Sequence, residues 1–394
     1  MISIERRIRK QKKKRLWIIA LILLFVISLL FGIVYLFRKD KEIDYYYVYD
    51  RLIASMIPGK TEDEIYNDFV VMHERSISPS HQEIANLIIA ESLHYSYNQD
   101  EKSRMIIRQG TKYLLDIAQE TYVNGYGLYD SWDAFGDGSV NPSDTSYTIT
   151  NATVLDAFLD VLDLDVLENR EREEVERLIN TIIIDWCSYY FTEKNGEEGY
   201  FWYSNQKVDD KDSPNVSAEF AGVIAKALYQ EPDLFDVEEK RLIEKRISSV
   251  QKGIVSETDI ENGEPFWKYI NNREGANDLV HHWFILEGIM NLRQYWQKGS
   301  WNWSEEAEEK SIDSFISAGK IYNYSIYENN EEEANLYGIG GALEYYSKIG
   351  DNKKAEDICL IALKMFKGLD MGEYEDLREC TFFVRGLATL NYGN

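Results

Sequence analysis

A recurrence of about 60 residues constrains this chain more than any local motif does. Asn86, Asn151, Asn215, Asn277 and Asn335 each stand at or near the start of an apolar stretch of helical spacing, at intervals of 65, 64, 62 and 58 residues. Each interval holds two helical patterns and a loop rich in Gly and aromatics. The predicted pairs are 81–98 with 101–121, 147–162 with 168–192, 215–229 with 237–256, 277–296 with 304–322, and 333–349 with 352–367; a last apolar helix covers 379–391. The first helix of each pair is apolar nearly all round and rich in small residues, as at 221–228 and 338–343. That is the pattern of an inner helix buried on every side. The second carries charge on one face, as at 168–177, and reads as an outer helix.

Pairs of this period can stack into an open solenoid or close into a ring. A solenoid requires capped ends and short connections. Here the last apolar helix nearly ends the chain, and the loops run to about 20 residues. The sequence therefore predicts an all-α ring of six inner and outer helices. The sixth outer helix is predicted at 61–75, behind the capping box Thr61-Glu-Asp-Glu and the break Pro58-Gly59.

The N-terminus has its own logic. Eight Lys/Arg and one acid fill residues 1–15, and residues 16–37 carry no charge. At 1.5 Å per residue such a helix is about 33 Å long, enough for a bilayer core. The basic cluster before it predicts a cytoplasmic N-terminus and an extracytoplasmic remainder. Leu-Phe-Arg-Lys-Asp after the run is not a small-residue cleavage site, so an uncleaved anchor is expected rather than a signal peptide. The predicted organisation is a basic segment at 1–15, an anchor at 16–37, a juxtamembrane segment at 38–59 and a toroid at 60–394. Beyond residue 42 the chain has 32 Lys/Arg against 65 Asp/Glu, a net charge of −33. Such a field repels nucleic acid and anionic glycans at long range. Cys187, Cys359 and Cys380 form no Cys-x-x-Cys and are odd in number, which argues against a disulfide framework or a structural zinc. No cofactor is expected.

Six inner and outer helix pairs, with Gly-aromatic loops leading into the inner helices, resemble the (α/α)6 toroid of the six-hairpin glycosidase-like proteins. The resemblance covers about 60–394 and rests on layout. It implies that the loops before the inner helices line a cleft for a carbohydrate. Glu83 opening a helix, with Gly127-Leu-Tyr-Asp-Ser-Trp after the outer helix, is similar to the inverting cellulase/chitosanase-type hydrolases. Those place a catalytic acid at the first inner helix and carry an Asp-rich start to the second. Here the second start is Ser146-Tyr-Thr-Ile-Thr-Asn-Ala, without an aspartate. Asn277-Asp-Leu-Val-His-His-Trp is similar to the Asn-His helix starts of toroid uronate lyases.

These loops supply the candidate chemistry. Glycoside hydrolysis needs two carboxyls across the scissile bond. Asp130, Asp133 and Asp144 share one loop with Trp132 and lead to Tyr147; Glu83 and Asp278 stand at helix starts. His281 is the candidate for proton transfer near neutral pH. Candidates for contact with sugar are Trp132, Tyr147, Asn151, Trp202, Tyr203, Glu219, Trp267, Asn277 and Asn335. Each has a plainer role open to it: acids as solvated surface, asparagines as helix caps, aromatics as packing between helix ends, the histidines as hydrogen-bonded interface residues. No ligand spacing for a metal is visible. Three functional readings remain: a hydrolase on an envelope or extracellular polysaccharide, a uronate lyase or epimerase, and a toroid that binds a glycan or partner without catalysis.

Overall fold

The computed structural model describes residues 43–75, 81–120, 125–127, 131–143, 145–271, 277–328, 330–366 and 377–393. The anchor predicted at 16–37 lies outside these; among the described residues no helix is long and apolar enough to cross a membrane. By its contacts the chain divides within its first described helix, into Met1–Val48 and Tyr49–Asn394. The second unit contains the whole helical repeat.

Thirteen α-helices are described. The first two, α1 (Tyr45–Met56) and α2 (Glu62–Arg75), precede the repeat. The inner helices are α3 (Gln82–Asn98), α5 (Thr148–Leu162), α7 (Pro214–Gln230), α9 (Leu279–Asn291), α11 (Leu336–Lys348) and α13 (Leu377–Tyr392). Their outer partners are α4 (Glu101–Glu120), α6 (Asn169–Tyr189), α8 (Val237–Ser256), α10 (Glu305–Asp313) and α12 (Asn352–Met365). Each inner helix packs on the next, and α13 returns to α3, so the ring is closed.

The sequence patterns explain the two layers. In α11 every residue from Leu336 to Ser347 is buried, whereas α6 buries Val175, Leu178, Ile179, Ile182, Ile183 and Trp186, the stripe of a one-sided helix. Small residues let the inner helices approach. A Cβ on Gly288 would lie 2.2 Å from Ala218 of α7, and one on Gly340 would lie 2.6 Å from Phe382 of α13.

Two expectations need correction. The helix at 61–75 pairs with α4, not with the last inner helix: the Tyr66 hydroxyl donates to Asp116 at 2.8 Å, and the Phe69 ring lies 6.5 Å from Tyr113. Tyr49 of α1 is what meets the last helix, with its ring 5.6 Å from Tyr392. The helix expected at 304–322 stops at Asp313. The chain there folds into the hairpin β5–β6 (Ile316–Ser317, Lys320–Ile321), matching β1–β2 (Phe191–Lys194, Glu198–Phe201) and β3–β4 (Asp259–Glu261, Glu264–Phe266) after α6 and α8. Asn262-Gly263 and Ala318-Gly319 turn the last two with positive φ at both residues, as a two-residue hairpin turn of type I′ demands. Cys187, Cys359 and Cys380 are buried thiols on helices.

Candidate functional site

The inner helices run parallel, so their N-terminal ends meet at one face. A cavity of about 260 Å³ opens there. Every inner helix supplies lining: Gln82 from α3, Ile149 and Thr150 from α5, Asn215 from α7, Val280, His281 and Phe284 from α9, Tyr337 from α11 and Arg378 from α13. The preceding loops add Trp132, Tyr147, Tyr203, Tyr269, Asp278, Asn323 and Asn335. Converging helix N-termini put partial positive charge at this mouth.

The start of α9 carries the chemistry. Asp278 is its N-cap and accepts the backbone N–H of His281 at 2.9 Å. The same carboxylate oxygen lies 2.6 Å from Nδ1 of His281. Burial pushes the Asp278 carboxyl up, but the His281 charge and the hydrogen bonds from His281 outweigh it and hold it below its ordinary value of 3.8. An ionised carboxylate only accepts, so the neutral imidazole carries its proton on Nδ1 and keeps the Nε2 lone pair as a base. The Tyr269 ring stands edge-on to the imidazole at 4.5 Å, and its hydroxyl donates to that of Tyr203 at 3.2 Å. Burial raises the Tyr269 phenol, as it does Tyr203. The Tyr147 ring lies 6.0 Å from that of Tyr203; Asn141 donates to the Tyr147 hydroxyl at 3.1 Å and to Asp209 at 2.6 Å, and burial pushes the Tyr147 phenol up to about 12.

The adjacent histidines divide as their 100° separation on a helix requires. His282 is fully buried, with Nε2 2.9 Å from the Ser311 hydroxyl, and burial pulls it down to about 3. It is a neutral packing residue.

The candidates named from sequence separate in the same way. Trp132, Tyr147, Tyr203, Asp278, His281 and Asn335 line the cavity. Trp132 is 37% exposed and leans on Tyr147, ring to ring at 5.4 Å. Asn335 also caps α11. Asp133 instead organises its own loop, accepting backbone N–H groups of Phe135, Asp137 and Gly138. Asn151 is buried and ties the Tyr126 backbone to α5. The Trp202 indole donates to Thr192, and the Trp267 indole to the carbonyl of Ile254, both away from the lining. Glu83 and Asn277 are buried beside it without lining it. Glu219 lies in a charged layer inside the ring; burial and Glu287 hold its carboxyl well above the ordinary value. Asp130 and Asp144 lie outside the described residues. Tyr269, Asn323 and Arg378 come from the segments before the inner helices that were expected to line the cleft, but neither they nor Gln82 and Tyr337 were singled out from the sequence. Gln82, Tyr337 and Arg378 share a signal that was available, since each stands in the first two residues of an inner helix.

No protein-family model matches the sequence, and no curated protein does. Solved structures match the fold. A reducing-end-xylose releasing exo-oligoxylanase complexed with xylose aligns with a TM-score of 0.52 at 9% identity, over 80% of this chain and 82% of that one. Cellobiose 2-epimerase from Bacillus thermoamylovorans aligns at 0.51 and 11% identity, over 79% and 88%. A polysaccharide lyase aligns at 0.51 and 9% identity, over 89% and 98%. The chain therefore shares the toroidal fold of inner and outer helix pairs with these structures.

Proposed function

We propose that this protein is a carbohydrate-active enzyme whose toroid mouth takes a saccharide, with the Asp278–His281 pair moving a proton on it. The observation that carries the reading is the 2.6 Å contact between Asp278 and Nδ1 of His281 at the wall of an aromatic and amide-lined cavity. The carboxylate fixes the tautomer and stabilises the imidazolium that forms when Nε2 takes a proton. Tyr269 and Tyr203 add hydroxyls beside it, and Arg378 adds a cation on the last inner helix. Such a set suits removal of a proton from a sugar carbon, as in elimination or epimerisation.

Glycoside hydrolysis is the second reading. Asp278 is the only carboxylate among the described lining residues, and hydrolysis needs a partner for it. Asp130 and Asp144, which flank Trp132 in sequence, are the acids from which that partner would come. In either case we place the domain outside the cell, held by residues 16–37, with polysaccharide as its partner.

The test is incubation of the detergent-solubilised full chain in D₂O with cell-wall and capsular polysaccharides, xylobiose and cellobiose. Proton transfer at carbon yields deuterated or unsaturated sugars. Shortened, saturated chains without deuterium at carbon indicate hydrolysis. Retention without turnover makes the protein a binding module, and the absence of both binding and turnover overturns the saccharide reading.

A further inference from the structure

Beside the mouth, but not lining it, three charged side chains from separate parts of the chain converge. Lys194 of β1 donates to Asp212, just before α7, and to Glu257, just after α8. Glu257 also accepts from the side chain of Asn271. Asp212 is 8% exposed. Two carboxyls and one ammonium in contact carry a net negative charge unless one carboxyl holds a proton.

This cluster holds one wall of the site. The Asn271 backbone N–H donates to the Asp212 carbonyl at 2.9 Å, and the Ser213 hydroxyl donates to the Tyr269 carbonyl at 2.8 Å. Residues 269–271 are thus laid along 212–213, which sets the Tyr269 ring against His281. We infer that Lys194, Asp212 and Glu257 are positioning residues for the site: with a proton on Glu257 they clasp the segment carrying Tyr269 against His281, and loss of that proton loosens it. Asp212 and Lys194 are the charged groups that face Glu257; behind Lys194 stands the Tyr200 ring at 5.3 Å, its hydroxyl bonded to Asp210. Burial and the Asp212 charge push the Glu257 carboxyl up to about 7, from an ordinary 4.5. The folded state then holds a proton that the unfolded chain releases. The clasp is complete below pH 4.5 and is lost as pH rises through about 7.

The inference extends the saccharide reading, and its test begins without a ligand. Hydrogen exchange on the full chain reports opening of residues 267–271, corrected for the intrinsic rate. Wild-type protection should fall with pH above 7, by up to about tenfold per unit for opening that needs one deprotonation. Glu257→Gln is uncharged at every pH and keeps an acceptor for Lys194 and Asn271, so its protection should stay high and flat. Lys194→Met should be poorly protected throughout, and Lys194→Arg should restore it. A flat wild-type profile, or a Glu257→Gln profile that follows wild type, overturns the inference. Xylobiose and cellobiose titrations at pH 6 and 8.5 form the second arm. For a disaccharide that binds, wild-type affinity should weaken at the higher pH and that of Glu257→Gln should not; an unchanged wild-type affinity overturns the link to the site. Protection that behaves as stated with no binding of either disaccharide leaves the clasp standing and counts against the saccharide reading alone.

Discussion

Asp278 serves as helix cap and as partner of an imidazole, and these roles can be separated. Asparagine is as good an N-cap as aspartate. Asp278→Asn should therefore keep the fold, with stability within about 0.5 kcal/mol of wild type, while it removes the charge that orders His281. Turnover should fall by about 10²–10⁴-fold, the usual worth of positioned acid–base catalysis, and a thermal melt beside the assay separates the effects. Asp278 is held below its ordinary 3.8. Its contribution is thus present above pH 3.8 and is lost only as pH falls through the lower folded value. At this scale the sequence was partly legible. It showed that two adjacent histidines on a helix point different ways. Helical i,i+4 spacing would set Asn277 beside His281 and Asp278 beside His282, whereas the cap geometry at the helix start brings Asp278 to His281 at i,i+3. Spacing rules for helix interiors do not hold at a cap, where the backbone is extended.

Among the elements, the inner helices share a buried charged layer. Asp156 of α5, Glu287 of α9, Glu344 of α11 and Arg385 of α13 each stand eight residues after the start of their helix, about 12 Å below the mouth at 1.5 Å per residue. Arg385 bonds Glu287 and, at 2.9 Å, Glu344; Lys348 reaches both, and Lys226 bonds Asp156 at 2.6 Å. Arg385 thus ties the last helix to α9 and α11. Removing one partner of such a network leaves buried charge uncompensated, which costs about 3–5 kcal/mol. Arg385→Met, similar in length but neutral, should lose that much in urea unfolding. A loss below about 1 kcal/mol would show that the layer is not a closing clasp. The inner helices were legible because burial all round leaves a plain apolar, small-residue signature. The hairpins were not recognised, although Asn262-Gly263 is a turn signal. Their strands of two to four residues are too short for an alternating pattern to stand out.

For the whole molecule, ring closure turns a linear repeat into a single mouth. Residues as distant as Gln82 and Arg378 come to one cavity because parallel inner helices share an N-terminal face. The period in sequence therefore indicated where the site lies, but not which side chains of each loop turn inward. Trp132 and Trp202 belong to equivalent loops, yet only the first lines the cavity, because the Trp202 indole is tied to Thr192 beneath Lys207. That contrast provides the most direct test of the account. Calorimetric titration of wild type, Trp132→Ala and Trp202→Ala with the saccharide that wild type takes up should show affinity weakened by about tenfold or more for Trp132→Ala, about 1.4 kcal/mol, and unchanged for Trp202→Ala. Weakening by Trp202→Ala with none by Trp132→Ala would contradict the assignment of the site to the mouth of the toroid.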